Sequence, residues 1–355
     1  MINIAAIGVR EGELPLYKEE NNAFKYNINY YCNDHDIYDE KIYDGVDFVI
    51  SSDSTRKLTK EYFGILKKHN IKLFVAKMTG VAQIDMEAAR ENNVHVANVQ
   101  GYSPNAIAEL SLTLAMMLER NICTIELANK HRDFKLNYPY FNEIRDLTVG
   151  VYGVGRIGST TAKLFSDIGS KVIGFDPHPY EPNKEFMEYV SMEQLKTDSD
   201  ILILHSPYIK GVNYHIIDGE FIKGMKDGAV IVNVARGELV DLKAINENII
   251  NGKLKGYATD VLENEQIIYG KKVSEIDDVD INEAINLYPK VIVTPHIGAH
   301  TIRARKSQIE IALSEIKEYI ETGSCKFLIE WYGIIYKNAT TSNRTIIIDG
   351  CWLYS

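Results

Sequence analysis

Apolar residues in this chain fall into short unbroken runs, and stretches with helical spacing separate the runs. In the first hundred residues, segments 2–8, 48–53, 73–76 and 94–99 are rich in Val, Ile, Phe and Ala and are bounded by polar residues or glycine. Between them, segments 55–69 and 82–92 carry apolar positions at the helical period, with Asp85 placed to cap the second. Strands alternating with helices predict a parallel sheet covered by helices. A second series begins at Leu147, where LTVGVYGVG runs into a glycine turn and a helix over 157–168. Segments 171–176, 201–205, 229–235, 257–261 and 291–294 read as further strands, with helices over 218–225 and 241–251 among them. Several of these strands are continuously apolar, as expected when both faces are buried.

This pattern predicts an α/β protein with a doubly wound parallel-sheet domain over residues 102–298. Residues 301–322 form one amphipathic helix able to return to the first domain, so 1–101 and 299–332 make up a second unit. Segment 104–120 opens with the cap pair Ser103 and Pro104 and is apolar around most of its circumference. It is expected to be buried, as an ordinary core helix or at an interface between domains or subunits. The last residues, 333–355, are rich in aromatic and β-branched side chains and stand apart from the pattern.

Composition narrows the class. Over 355 residues, 45% are apolar and 25% charged, which excludes a disordered or collagen-like chain. The net charge of −10, without a basic run, argues against nucleic acid and anionic membranes as partners. No apolar stretch reaches the roughly 18 residues that span a bilayer. The opening MINIAAIGVREGE reads as a first strand rather than a secretory signal. Cys32, Cys123, Cys325 and Cys351 are too scattered for a disulfide framework or a zinc site. A soluble cytoplasmic protein without a bound metal is the expectation.

Gly153, Gly155 and Gly158 form a G-x-G-x-x-G turn between a strand and a helix, and Asp176 ends the next strand eighteen residues past Gly158. In a Rossmann-type domain the first glycine permits the turn, the second admits a pyrophosphate, and the third lets helix and strand pack closely. A carboxylate at Asp176 can accept both ribose hydroxyls and repels a 2′-phosphate, so NAD is favoured over NADP. Glycines that serve packing alone, or another ligand such as S-adenosylmethionine, are the competing readings.

Four polar residues, Arg236, Asp260, Glu265 and His296, follow predicted strands on the edge where open α/β sheets bind ligands. Each alone reads as a surface charge or a structural residue. Together they suit hydride transfer between nicotinamide and a 2-oxo or 2-hydroxy acid. A guanidinium offers a planar fork to a carboxylate, and an imidazole can deliver a proton near neutral pH. Pairing with Glu265 is expected to raise the pKa of His296.

Taken in order, TGVAQIDMEAA, YSPNAIAE, GVGRIG, NVARGELVD, the Asp260–Glu265 spacing and TPHIGAHT resemble the D-isomer-specific 2-hydroxyacid dehydrogenases, in particular the branch of D-lactate and D-2-hydroxyisocaproate dehydrogenases. The resemblance extends to about residue 325. It implies an NAD-binding domain inserted in a flavodoxin-like substrate domain, and reduction of a 2-oxo acid by NADH. It also implies a homodimer joined through the nucleotide domain. Within it, Arg236 looks like the arginine that binds substrate, His296 like the acid/base and Glu265 like its partner. Asp260 looks like the aspartate near the nicotinamide. Arg156 and Ile157 would meet the pyrophosphate, while Ser206, Pro207, Asn213, Val234, Ala235 and Arg236 itself would meet the rest of the cofactor. The amides around Thr79, Gly80 and Val81 would cradle the substrate carboxylate, with Tyr102 facing the substrate or serving as a packing aromatic.

The chain departs from that branch where a pair of aromatic residues usually follows the catalytic histidine, since it has Ala299 and His300 there. If the aromatics line the pocket, Ala299 enlarges it for 2-oxo acids bulkier than pyruvate. The long Glu265–His296 segment still resembles the lactate branch. A phosphoglycerate- or glyoxylate-type dehydrogenase, using Lys72 and Lys77 on a phosphate, is one alternative. A corepressor-like NAD sensor is another.

Overall fold

The computed structural model describes residues 1–329 except 33, 34, 53–55 and 82, together with the short antiparallel strands Ile346–Ile348 and Cys351–Leu353. The rest of 333–355 lies outside the described residues, as do the expected ends of elements at 53, 55 and 82. The chain divides into two compact units, residues 1–103 with 301–355 and residues 104–300.

In the first unit β1 (Asn3–Ile7), β2 (Asn27–Tyr31), β3 (Phe48–Ser51), β4 (Leu73–Ala76) and β5 (His95–Asn98) form one parallel sheet in the order 2-1-3-4-5, the flavodoxin order. Side chains alternate between two cores, as the period of a strand requires. Ala5, Ile7, Val49 and Phe74 face α2 (Lys60–Lys68) and α3 (Met86–Glu91), where Phe63, Leu66 and Ala89 are buried. Ile4, Ile50 and Val75 face Tyr17 of α1 (Leu14–Glu20) and Ile309, Leu313 and Ile316 of the C-terminal helix Ile302–Thr322. Residues past that helix run beside β5, where Asn98 donates to the Phe327 carbonyl at 3.2 Å.

The second unit holds a seven-stranded sheet. Its strands are β6 (Thr148–Tyr152), β7 (Lys171–Phe175), β8 (Glu188–Tyr189), β9 (Ile201–Leu204), β10 (Ala229–Asn233), β11 (Leu254–Thr259) and β12 (Val291–Val293), in the spatial order 12-11-10-9-6-7-8. All pairings are parallel and the order reverses between β6 and β9. That reversal is the switch point at which doubly wound sheets bind ligands. Every residue of β9 and β10 is buried, in keeping with their continuous apolar sequence. One face carries α4 (Pro104–Glu119), α5 (Ile122–Lys130) and α6 (Arg156–Asp167), and the other carries four further helices.

The mostly apolar segment is therefore α4, and its Leu114, Ala115 and Leu118 are core residues of the second unit. Gly256 makes room for it, since a Cβ there would meet Leu118 Cδ2 at 2.7 Å. Several ends differ from the sequence pattern. The segment expected as 55–69 is helical only from Lys60, and that expected as 82–92 only from Met86, where the Asp85 carboxylate accepts from the Ala88 amide at 2.9 Å. The edge strand β2, NINYY, leaves no strand signature in the sequence because its asparagines break any apolar run.

Phe165, fully buried, pins α6 to the sheet. Phe165→Ala is expected to cost about 3–5 kcal/mol and to lower the urea midpoint of the second unit. An unchanged midpoint would show that the helix is not held by this contact.

Candidate active site

Backbone constraints at the end of β6 build the first part of the site. Gly153 has φ +87°, and a Cβ on it would lie 2.5 Å from the Ser206 nitrogen. A Cβ on Gly158 would lie 2.0 Å from the Gly153 carbonyl oxygen. Gly155 differs, for nothing lies within 4 Å of the Cβ it lacks. Two glycines thus serve close packing and the middle one leaves an open approach to the N-terminus of α6, where Arg156 is the first helical residue and Ile157 the second. The Asp176 carboxylate faces the same turn, accepting from the Val154 amide at 2.7 Å and the His178 amide at 2.8 Å. These features fit a dinucleotide, with its pyrophosphate over Gly155 and its ribose at Asp176.

The segment after β9 lies beside that turn. Asn213 is buried, and its side chain accepts from the Ile209 amide at 2.7 Å and donates to the Pro207 carbonyl at 2.8 Å. It shapes the loop carrying Ser206 and Pro207 and leaves little of itself to a ligand. His205, which no motif singles out, sits with Nε2 2.8 Å from the Thr161 hydroxyl of α6. Burial pushes its pKa down to about 3, so it stays neutral.

Arg236, Asp260, Glu265 and His296 come together on the C-terminal edge of the second unit's sheet. Val234 and Ala235 follow β10 and are buried, whereas Arg236 is exposed. Its Nη1 donates to the Ala235 carbonyl at 2.7 Å, and the buried Asn233 amide holds the turn by donating to the Arg236 carbonyl at 2.9 Å. Asp260 is 2% exposed and both its carboxylate oxygens are occupied. Oδ1 accepts from the Thr294 hydroxyl at 2.6 Å and the Ile297 amide at 2.8 Å, and Oδ2 accepts from the Gly298 amide at 2.8 Å. Burial raises the Asp260 pKa against these three bonds. Asp260 thus acts as a clamp on the turn that bears His296.

His296 Nδ1 lies 2.7 Å from Glu265 Oε1, and the other Glu265 oxygen accepts from the Leu262 amide at 3.2 Å. The hydrogen bond to Glu265 raises the His296 pKa, with burial and the Arg236 charge opposing it. The imidazole keeps about half of its side-chain surface open to solvent (51%), so its proton can exchange.

Thr79, Gly80, Val81 and Tyr102 belong to the first unit. The Thr79 hydroxyl donates to the Val99 carbonyl at 3.0 Å, and the Asn98 amide donates to the Thr79 carbonyl at 2.8 Å. Gly80 faces open space and Val81 is buried. Tyr102 packs half-buried against the sheet core. Lys77 is not available to a substrate phosphate, because its side chain is wholly buried with Nζ 3.1 Å from the Glu13 carboxylate.

A switch-point glycine turn, a carboxylate at the end of the next strand and a glutamate-paired histidine on the same sheet edge as an arginine fit a nicotinamide-dependent oxidoreductase. The family model described as D-isomer specific 2-hydroxyacid dehydrogenase, NAD binding domain, matches residues 112–298. An aromatic 2-oxoacid reductase of Clostridium sporogenes is 37% identical over 288 residues, covering 81% of this chain and 86% of the relative. A D-2-hydroxyacid dehydrogenase (NAD(+)) of Clostridioides difficile is 33% identical over 332 residues, covering 91% and 98%. Among solved structures, a D-lactate dehydrogenase of Treponema pallidum superposes with a TM-score of 0.87 at 28% identity, covering 93% of this chain and all of that one. A D-2-hydroxyisocaproate dehydrogenase gives 0.85 at 30%, covering 92% and 99%. The chain belongs to the D-isomer-specific 2-hydroxyacid dehydrogenases, which use NAD to interconvert 2-oxo acids and D-2-hydroxy acids.

The raised pKa of His296 has a definite sign. With His296 as the proton donor, reduction would need the imidazolium, so its rate would be full below that pKa and fall as pH rises through it; oxidation would have the opposite dependence. Glu265→Gln removes the charge that favours the imidazolium. The falling limb for reduction should then move to lower pH by about 1 unit, and an unmoved limb would show that the pair does not set it.

Proposed function

We propose that this chain reduces 2-oxo acids larger than pyruvate at least as well as pyruvate, with Arg236, Glu265 and His296 as the reacting machinery. Bound NADH supplies the hydride. Arg236 receives the substrate carboxylate on its planar fork and polarises the neighbouring carbonyl. His296 delivers a proton to the carbonyl oxygen, and Glu265 holds the imidazole in orientation and favours its charged form. Thr79, Gly80 and Val81 provide backbone amides for the carboxylate, with Tyr102 on the substrate side. Gly153, Gly155, Arg156, Ile157, Gly158, Asp176, Ser206, Pro207, Val234 and Ala235 surround the cofactor, with Asn213 holding the loop and Asp260 the histidine turn.

The observation that carries this reading is the 2.7 Å bond between His296 Nδ1 and Glu265, on the same sheet edge as Arg236. It leaves Nε2 as the nitrogen that can serve the substrate. The larger-substrate preference is supported by Ala299, which has only a methyl group three residues past His296. The aromatic 2-oxoacid reductase among the relatives points the same way.

A cytoplasmic homodimer is the proposed assembly. Among the described residues no helix is long and apolar enough to cross a membrane. Phe134, Leu136 and Tyr140, following α5, stand in solvent in a single protomer, as do parts of Ile122 and Leu127. A partner covering them would remove that exposure.

NADH oxidation against a panel of 2-oxo acids tests the reading. We expect kcat/KM for phenylpyruvate or 4-methyl-2-oxopentanoate to equal or exceed that for pyruvate. Arg236→Ala should lower kcat/KM about 10- to 100-fold while NADH binding persists. A pyruvate value ten times that of every larger acid would overturn the pocket argument. NADPH should be the poorer donor, and Asp176→Ala should narrow the difference; equal use of both by the parent would contradict the role of Asp176.

A further inference from the structure

The loop that carries Glu265 is tied down from outside the reacting groups. Glu263 Oε2 lies 3.0 Å from His215 Nε2, and the Tyr214 hydroxyl donates to both Glu263 oxygens, at 3.2 and 3.3 Å. The Tyr214 ring stacks on the His215 ring with centroids 3.9 Å apart. The His215 amide in turn donates to the Glu238 carbonyl at 2.8 Å, inside the turn that follows Arg236. A Cβ on Gly237 of that turn would lie 2.0 Å from the Glu263 nitrogen, so the Arg236 and Glu265 loops are in backbone contact. Three separate loops, bearing Asn213, Arg236 and Glu265, thus meet at one small cluster of side chains.

The backbone at this cluster is unusual. His215 has φ +49°, Asn264 φ +60° and His296 φ +55°, all in the left-handed region that non-glycine residues seldom adopt. Such conformations persist where surrounding contacts over-determine them. Asn264 lies between Glu263, whose side chain is tethered, and Glu265, whose carboxylate meets His296. Fixing Glu263 therefore fixes the strained residue that aims Glu265.

We propose that Glu263, held by His215 and Tyr214, is a positioning residue that keeps Glu265 in register with His296. The inference rests on the reading of Glu265 and His296 as the proton-transfer pair. The groups facing His296 are Glu265, Asp260 and Arg236, and those facing Glu263 are His215 and Tyr214. The tether is partly exposed, with 30% of the His215 and 38% of the Glu263 side-chain surface open, and such pairs add little to global stability. A merely structural tie would show in the melting temperature if anywhere. A positioning tie shows in kcat and its pH dependence.

The test measures kcat for 2-oxo acid reduction from about pH 5 to 9, the range over which histidine titrates, alongside melting temperature and NADH affinity. The variants are Glu263→Ala, Glu263→Gln, His215→Asn and Glu265→Gln. Glu263→Ala should lower kcat about tenfold and draw the falling limb to lower pH, with KM less affected and NADH affinity kept. Glu263→Gln, which can still bond both partners, should recover most of that loss. His215→Asn keeps a residue tolerant of left-handed backbone and should resemble Glu263→Ala, so the proposal does not depend on one variant folding.

Parental kcat and an unmoved limb in Glu263→Ala or His215→Asn, with or without a lower melting temperature, would overturn the proposal. So would an equal loss in Glu263→Gln and Glu263→Ala, because the charge and not the tether would then matter. If Glu265→Gln moves the limb but Glu263→Ala does not, the proton-transfer pair stands and only the positioning role falls. If Glu265→Gln leaves the limb in place, the pair itself fails and the positioning role with it.

Discussion

The geometry of the second unit's functional sheet edge depends on one buried carboxylate. Asp260 spends both oxygens on the turn from Thr294 to Gly298, and His296 rides on that turn in a left-handed conformation. Burying a charge without partners is expensive, so the three bonds are the condition for having Asp260 there at all. In return the carboxylate gathers the ends of β11 and β12 into a single geometry. The His296 amide completes the arrangement by donating to the Asp260 carbonyl at 3.0 Å. An imidazole on an unclamped loop would sample many directions, and proton transfer needs one.

Burial then divides the titratable groups by function. His205 is held neutral by burial, and its bond to Thr161 suits a side chain that only locks α6 to the end of β9. Lys77 is wholly buried against Glu13, and burial lowers its pKa to about 8. A group so enclosed cannot reach a substrate, whatever its charge. His296 has the opposite setting, with half of its surface open and a glutamate that favours its proton. Histidines 205 and 296 both follow a strand end, and only the partner and the exposure separate a structural imidazole from one able to exchange protons.

Much of this was legible in the chain because parallel strands leave a continuous apolar signature. The runs at β9 and β10 were read closely, as were the glycine turn and the four polar residues that follow strands. The edge strand β2 escaped because alternation with asparagine resembles a loop. The short helices at 14–20, 122–130, 192–198 and 279–286 carry too few turns to establish a period. In the site, motifs single out residues but not the partners that each one takes. The Asn213 side chain bonds the Ile209 amide and the Pro207 carbonyl, and Asp260 accepts from the Thr294 hydroxyl and the Ile297 and Gly298 amides, partners that spacing cannot name. Asn233 and Thr294 stood inside the quoted motifs, NVARGELVD and TPHIGAHT, yet their partners lie 3 and 34 residues away.

That contrast reflects where each kind of information is stored. Local patterns record what a residue does for its own element, as the Asp85 cap or the unbroken apolar run of β9 shows. Long-range bonds record what it does for the site, and those between Glu263 and His215 or between Asp260 and Thr294 join residues far apart in the chain. The doubly wound topology makes such bonds possible, because parallel strands deliver every loop of one edge to the same place. A hydride-transfer centre needs a phosphate-binding turn, a carboxylate-binding cation and an oriented acid, and no single loop can supply all three. The sheet brings them to one edge, and buried side chains such as Asn233, Asn213 and Asp260 then set the angle of each loop. The aim of each loop on this edge therefore rests on polar residues whose partners are other groups of the protein.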